Sequence, residues 1–194
     1  MRLFLLILLL MPIVGFSQKK REIANNQVLK LRSGVLLVRL YTSENKINAL
    51  RKLGRNKEAE EVIRKQHLEN KAIYTSFTSV YDFSKVYFFY NTCSEKIKNR
   101  EFTGNLLNAE LEVDSSIIVN PGDFFISEFD FTPGTGLYAL VVKDCEFEFL
   151  KKPFPYYIKR FDIIPISRRT PFDMVLVLNT KLHQQLKKIP QSQP

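Results

Sequence analysis

The sequence predicts a single α/β or α+β domain at residues 18–189, built on a mixed, mostly antiparallel central sheet that helices flank. Its first elements are expected to be a strand and a helical hairpin. Short apolar runs rich in β-branched and aromatic residues alternate with amphipathic segments, which is the pattern of strands and surface helices. With 45% hydrophobic and 25% charged residues among 194, the composition is that of a globular protein.

Five segments are predicted to be strands because they are short, apolar and rich in residues that favour an extended backbone. The last of them is expected to return antiparallel to the fourth, after a turn at Asp144 and Cys145. The sequence Pro153-Phe154-Pro155 is too rich in proline for a central strand, because proline cannot donate to a ladder. The five segments are 34–41, 85–90, 124–131, 137–143 and 147–150, and residues 106–113 are predicted to form a further tight hairpin around Asn108 and Ala109.

Helices are predicted between and after these strands. A first helix ends at Gly54, which suits the position just past a helix C-terminus, and a second covers 57–79. A short helix is expected to start near Ser94. Thr170 is expected to cap a last helix that has Pro171 in its first position. The core face of that last helix is predicted to contain Phe172, Val175, Leu176, Leu182 and Leu186.

Residues 1–17 have the layout of a secretory signal peptide. Arg2 provides a positive start, an apolar stretch follows, and the small residues Gly15 and Ser17 precede the expected cleavage near Ser17. The stretch is shorter than the roughly 20 residues of a membrane-spanning helix, and basic Lys19 follows it closely. We therefore expect a periplasmic or secreted protein with no transmembrane segment in the mature chain. An uncleaved N-terminal anchor is the alternative.

The formal charge of +9 is unevenly distributed along the chain. Residues 18–80 carry a net +8, residues 81–150 a net −7 and residues 151–194 a net +7. The basic ends predict contact with anionic envelope polymers or lipid head groups, or else pairing with the acidic middle inside the fold. Residues 18–32 are predicted to be in part a polar leader, and residues 190–194 a disordered tail.

The residue inventory argues against several classes of active site. Two Cys and two His leave little material for metal or acid–base chemistry, and no phosphate-binding or nucleophile-elbow motif occurs. We expect no cofactor and no metal. Acids are frequent in the middle of the chain, and two of them could supply the carboxylate pair that glycoside hydrolysis requires. The candidates are Asp114, Asp123, Glu128, Asp130, Asp144, Glu146 and Glu148. Alternation of Glu146 and Glu148 with aromatic residues favours a solvent-facing strand instead.

Cys93 is the one candidate for a catalytic residue. It follows the predicted strand 85–90 where a helix is expected to begin, and a helix N-terminus stabilises a thiolate. Strand, turn, Cys and helix, followed by a hairpin and a C-terminal helix, resemble a thioredoxin-like core over residues 84–188. The resemblance implies a redox activity, but the second Cys of that family is replaced by Lys96. We expect Cys93 and Cys145 to be unpaired.

The segment 151–157 is the most unusual stretch of the sequence, because basic and aromatic residues alternate there with prolines. It predicts either an edge segment with half-packed aromatic rings or a surface that binds a partner. The candidate binding residues are Lys151, Lys152, Phe154, Tyr156 and Tyr157.

The mature chain also resembles small exported proteins of unknown function from Gram-negative bacteria. Segments 34–40, 85–90, 124–129 and 151–157 carry the resemblance, which implies location and fold class only. The sequence therefore predicts a non-enzymatic binding or accessory protein that acts through its surface. Its expected partner is an envelope protein or an anionic envelope polymer, and not nucleic acid. The alternative is a divergent thioredoxin-like redox protein that uses Cys93.

Overall fold

The computed structural model describes residues 2–132, 135–161 and 168–190, and the side chains among them from residue 18 onward. The predicted turn around 133–136 lies partly outside these residues, and so does the predicted tail beyond Pro190. The helices are α1 (Arg2–Ser33), α2 (Glu44–Lys52), α3 (Asn56–Val80), α4 (Ser94–Lys98) and α5 (Pro171–Leu186). The strands are β1 (Val35–Leu40), β2 (Lys85–Tyr90), β3 (Phe124–Phe131), β4 (Tyr138–Lys143) and β5 (Tyr157–Lys159).

The described strands form one mixed sheet in the order β2-β1-β3-β4-β5, with helices against it, as the α/β composition predicts. β2 and β3 both pair parallel with β1, whereas β4 is antiparallel to β3 and β5 is antiparallel to β4. Parallel and antiparallel pairings are therefore equal in number, and the expected antiparallel majority is wrong. The reason is that both connections among the first three strands are crossovers that carry helices, and such crossovers join parallel strands.

One face of the sheet is packed against three helices. Side chains alternate between the two faces along a strand, so Leu36 and Val38 of β1 point to this face together with Phe125 of β3. Helices α1, α3 and α5 place apolar side chains against them. The helix residues that are buried here are Ala24, Val28 and Leu31, Ile73 and Phe77, and Met174, Val175, Leu178 and Leu182.

The opposite face of the sheet has a smaller core and a charged region. Leu37 and Ile126 pack there against Ile97 of α4 and against Phe102 and Leu106 of the following connection. Toward the carboxyl ends of β1 and β3, charged side chains replace the apolar ones on this face. The fold therefore has three helices on one side, and on the other the short α4, an irregular connection and a polar cluster.

The segment 18–32 is helical rather than a polar leader. Ala24, Val28 and Leu31 are at most 1% exposed, and their spacing of four and three residues puts them on one helix face. Gly34 ends the helix at a very close approach, because a Cβ atom there would lie 2.3 Å from the carbonyl oxygen of Asp123. The chain can thus pass directly from α1 into β1.

Residues 147–150 do not form the predicted strand, and only a single bridge joins Phe149 to Lys143. The carboxylate of Asp144 instead accepts the backbone N–H groups of Glu146 and Glu148, at 3.0 Å and 2.9 Å. Phe147 between them has a φ of 64°, which closes a tight turn. Backbone groups that a strand would present to β4 are therefore consumed locally, and β5 is the partner of β4.

Helix α5 begins as the sequence predicts, and of its predicted core residues Val175 and Leu182 are buried and Leu186 packs against the core. The Thr170 side chain accepts the N–H of Asp173, whose carboxylate accepts the Thr170 N–H, so both halves of a capping box are present. Phe172 and Leu176, however, are each 44% exposed. Packing of α5 against α3 and the sheet buries Met174 and Leu178 beside Val175 and Leu182, in place of Phe172 and Leu176.

In the part of the chain that the structure describes, no helix combines the length and the apolarity that crossing a membrane would take.

Candidate functional site

A groove of about 620 Å³ lies between the segment that leads into β5 and the outer face of α5. We call it the basic groove. Its five cationic residues come from both walls, and the described lining contains no acidic residue. Gln184 and Gln185 add neutral polar groups from α5. The cationic residues are Lys152, Lys159, Arg169, Lys181 and Lys188.

Two of these cations are already engaged with neighbouring groups. Arg169 donates to the carbonyl oxygen of Lys159 at 3.2 Å and lies 4.5 Å from the ring centre of Phe161. The Lys159 ammonium lies 5.9 Å from the ring centre of Tyr157. For Lys181 and Lys188 the described residues supply no ion pair. The groove thus contains cations whose charge no described carboxylate neutralises.

The residues predicted to bind a partner lie in different environments. Lys152, Tyr156 and Tyr157 line the basic groove, and the two tyrosine rings contact each other with centres 4.7 Å apart. Phe154 also borders the groove but is 1% exposed, since its ring stacks on Phe125 with centres 6.4 Å apart. Lys151 is exposed, and the described lining of the groove does not include it.

The α5 wall of the groove is the part that sequence reasoning missed. Lys181, Gln184, Gln185 and Lys188 are spaced by three, one and three residues, so they project from one side of the helix and its end. This pattern is visible in the sequence and indicates a polar, basic helix face. The pattern does not reveal the opposing wall of the groove, because that wall is a separate segment of the chain that the fold places beside α5.

A second polar cluster surrounds Glu128 on the face of the sheet that carries α4. Glu128 has no exposed surface and accepts hydrogen bonds from Arg39 at 2.9 Å, from Lys143 at 2.6 Å and from the Tyr41 hydroxyl at 2.7 Å. Lys143 also reaches Asp130 at 3.2 Å. The three donors engage the Glu128 carboxylate with groups of the protein itself.

The cluster is rigid because each side chain is held from more than one direction. The Arg39 guanidinium lies 5.3 Å from the ring centre of Tyr41 and 5.6 Å from that of Phe147. Burial, followed by the negative charge of Glu128, raises the pKa of the Tyr41 hydroxyl above its ordinary range. Tyr41 therefore remains a neutral hydrogen-bond donor at all physiological pH values.

Cys93 and Cys145 are free, half-buried thiols that both contact the smaller core. Cys93 is the residue that precedes α4, but α4 contains only five residues. Two strands, β1 and β3, separate β2 from β4, the strands that Cys93 and Cys145 follow. Redox activity at Cys93 stays a prediction, which the pH dependence of iodoacetamide labelling tests: a thiol pKa near 8.5 would contradict it.

His183 of α5 is held by a carboxylate outside its own helix. Its Nε2 lies 2.7 Å from the Asp82 carboxylate, which also accepts a hydrogen bond from Asn179 at 2.9 Å. The hydrogen bonds from Asn179 and then His183 hold the pKa of Asp82 below its ordinary value. This cluster joins the end of α3 to α5. Among the described residues, no group of three or more His, Cys, Asp or Glu side chains is arranged to hold a metal ion.

A scan against protein-family models, a search of curated proteins and a search of solved structures each gave no match to this chain.

Proposed function

We propose that this chain is an exported, non-enzymatic binding protein whose basic groove holds the phosphate or carboxylate groups of an anionic component of the cell envelope. The observation that carries the proposal is the convergence of five cations, from two separate parts of the chain, on one groove whose described lining has no acid. Export is supported by the signal-peptide layout of residues 1–17.

Charge in the groove is concentrated rather than spread evenly over the surface. Elsewhere many surface cations are paired: Arg51 with Glu60, Arg64 with Glu61 and Lys98 with Glu146 are examples. Pairing neutralises those charges at short range, whereas no described carboxylate lies within ion-pair distance of Lys181 or Lys188. A cleft lined by one sign of charge focuses its field and raises the local concentration of oppositely charged ligands.

Groove shape and chemistry suit a head group or a polymer segment better than a small metabolite. The groove is partly open to solvent, and two tyrosines and two glutamines line it beside the cations. Lysine ammonium groups bind phosphates as flexible point charges, which tolerates several ligand geometries. Such a site binds by charge density and gives strong dependence on ionic strength.

Sedimentation with lipid vesicles tests the proposal. The protein is expected to bind vesicles that contain phosphatidylglycerol, not vesicles of phosphatidylcholine alone, and soluble polyphosphate is expected to compete. Raising the salt concentration should release the protein, because the Debye length falls from about 10 Å at 0.1 M to about 3 Å at 1 M salt.

Charge-matched variants connect the binding to the groove. Replacing Lys181 and Lys188 together with Gln removes two groove cations, each worth about 1 kcal/mol near an anionic surface, so binding should weaken roughly thirty-fold. The control replaces Lys46 and Lys57, which are exposed on α2 and α3, with the same loss of charge. Equal weakening by both pairs would show that net charge, and not the groove, determines binding; binding that salt does not reduce would refute the proposal.

A further inference from the structure

A second cleft, separate from the basic groove, lies at the carboxyl ends of β1 and β3, where the order of the first three strands places it. The connection from β1 to β2 carries α3, whose Phe77 packs on one face of the sheet. The connection from β2 to β3 carries α4, whose Ile97 packs on the other face. The two connections therefore diverge to opposite faces between neighbouring parallel strands, and in open α/β sheets ligands bind in the crevice outside the strand ends at such a point.

A cleft of about 300 Å³ occupies this position, and we call it the β1–β3 cleft. Its volume is at the lower end of the range for pockets that bind small molecules. None of the residues described as lining it also lines the basic groove. Its described lining comprises Arg39, Tyr41 and Ser43, then Gln66, Glu69, Asn70 and Ile73 of α3, and Phe129, Asp130, Phe131 and Tyr138.

We propose that the β1–β3 cleft binds a free α-amino acid with an apolar side chain. Three kinds of lining group carry this assignment: one arginine for a carboxylate, acids for an ammonium group, and aromatic rings for an apolar side chain. The basic groove offers no acid in its described lining, so the two sites take chemically different ligands. This inference does not depend on the function proposed above.

Arg39 is positioned to receive the carboxylate of the ligand. Its side chain is 22% exposed, and its Nη1 donates to the fully buried Glu128 behind it. Within the described chain, its Nη2 group donates to no protein acceptor. The Arg39 Nε is buried without a hydrogen-bond partner, so Nη2 is the group that remains for a ligand. A buried carboxylate behind the guanidinium fixes the angle of this group, and charge-assisted hydrogen bonds to a carboxylate are among the stronger ones.

Asp130 and Glu69 provide the negative charge that an ammonium group requires. The Asp130 side chain is 33% exposed, and each of its oxygens accepts only one described hydrogen bond, from Lys143 or from the Phe131 N–H. Glu69 stands exposed at the rim, with the Tyr138 hydroxyl 3.4 Å away. An oxygen that has accepted one hydrogen bond retains a lone pair for another donor.

The walls of the cleft are fixed before a ligand arrives. Asn70 donates to the carbonyl oxygen of Tyr41 at 2.8 Å and accepts from Gln66 at 3.2 Å, while Gln66 accepts from the Ser43 hydroxyl at 2.5 Å. Ser43 has a φ of 56°, in the left-handed region that a non-glycine residue rarely adopts. These contacts hold α3 against the end of β1. A preformed site loses less conformational entropy on binding than a mobile one.

Phe131 gives the cleft an apolar surface that no core contact explains. It is 61% exposed although it lies in a strand, and its ring contacts that of Tyr138 edge-on with centres 5.4 Å apart. Phe129, two residues earlier on the same face of the strand, is buried and also contacts the Tyr138 ring. The exposed ring of Phe131 is thus available to cover the side chain of a bound amino acid.

Titration of the isotope-labelled protein with L-phenylalanine, followed by ¹H–¹⁵N correlation spectra, tests the inference. Shifts are expected at the backbone amides of Tyr41, Ser43 and Phe131, with saturation. Two analogues separate the contributions of the charged groups: 3-phenylpropanoate lacks the ammonium group and phenethylamine lacks the carboxylate. Each is expected to bind roughly tenfold more weakly or worse, because a hydrogen bond between charged groups is lost.

Matched variants place the binding in the cleft. Asp130→Asn is expected to weaken L-phenylalanine binding about tenfold and to leave 3-phenylpropanoate binding unchanged, whereas Asp123→Asn, at the opposite end of β3, should change neither. Phe131→Ala removes an exposed ring, so the protein stays folded and binding weakens for all three compounds. Absence of shifts at the cleft amides, or equal affinity for all three compounds, would overturn the assignment.

Discussion

Replacement of Glu128 by Gln is the perturbation for which the structure predicts the largest loss of stability from a change of very few atoms. The side chain keeps its shape and volume, so no cavity is created. What is removed is the negative charge to which Arg39, Lys143 and Tyr41 donate. Lys143 retains Asp130 at 3.2 Å, but Arg39 has no other described carboxylate within bonding distance.

The magnitude follows from burial. Glu128 has no exposed surface and the Lys143 side chain is 9% exposed, so neither lost interaction is replaced by water without rearrangement. Breaking a buried ion pair by removing one partner costs about 3–5 kcal/mol, because it leaves an uncompensated buried charge. In a chain of this size, 1 kcal/mol corresponds to about 2–4 °C in melting temperature. We therefore expect the midpoint of thermal unfolding to fall by roughly 6–20 °C.

Urea unfolding followed by circular dichroism measures the difference, with the slope checked for constancy between variants. The matched control is Glu148→Gln, which makes the same chemical change at an exposed acid. That control is expected to stay within about 0.5 kcal/mol of the parent protein. A loss for Glu128→Gln of less than about 1 kcal/mol would refute the reasoning, because the charge would then not be needed by the groups around it.

Three further predictions concern helix α5 and the groove. The pKa of Asp82 is lowered in the folded state, so its contacts with Asn179 and His183 stabilise the protein at pH values above its unfolded-state pKa of about 4. The difference in melting temperature between the parent protein and Asp82→Asn should therefore shrink as the pH falls from 6 to about 3. A difference that stays constant over this range would contradict the prediction. Thr170→Ala removes the capping box and should cost about 1 kcal/mol in chemical denaturation, whereas an unchanged midpoint would contradict the cap. Phe154→Ala should lower the free energy of unfolding by about 3–5 kcal/mol, because the ring is buried. Tyr157→Ala changes a half-exposed residue of the groove wall, so it should reduce vesicle binding with a smaller loss of stability. Similar losses of stability for the two variants would contradict the assignment of Phe154 to the core and Tyr157 to the groove.

Local patterns in the sequence predict several elements correctly. The apolar runs at β1, β2, β3 and β4 are strands, and Thr170 with Pro171 marks the start of α5. Gly54 has the predicted role at the end of α2, with a φ of 71°. These features depend on residues a few positions apart, so a single stretch of sequence contains the information.

The predictions that are wrong depend on contacts between distant segments. The helical state of residues 18–32 requires a sheet face for Ala24 and Val28 to pack on, and polar neighbours hide that face in the sequence. Which side of α5 is buried depends on the angle at which α3 and the sheet meet it, so Phe172 is exposed although it is apolar. The turn at 144–148 is a case in which a local contact overrides the apolar pattern. The Asp144 carboxylate accepts the backbone N–H groups of Glu146 and Glu148, which a strand would donate to β4.

The sequence by itself determined the strands β1 to β4, the helices α2 to α5 with their approximate ends, the separation of charge along the chain and the small number of residues suited to catalysis. Only the tertiary structure decided that Lys152 and Lys181 line one groove, and that Arg39 and Asp130 line one cleft at the end of two parallel strands. The physical reason is that secondary structure follows from the short-range periodicity of apolar residues, whereas a site is built from side chains that strand order and helix packing bring together. Strand order depends on the burial of the whole core and is not encoded in any one segment.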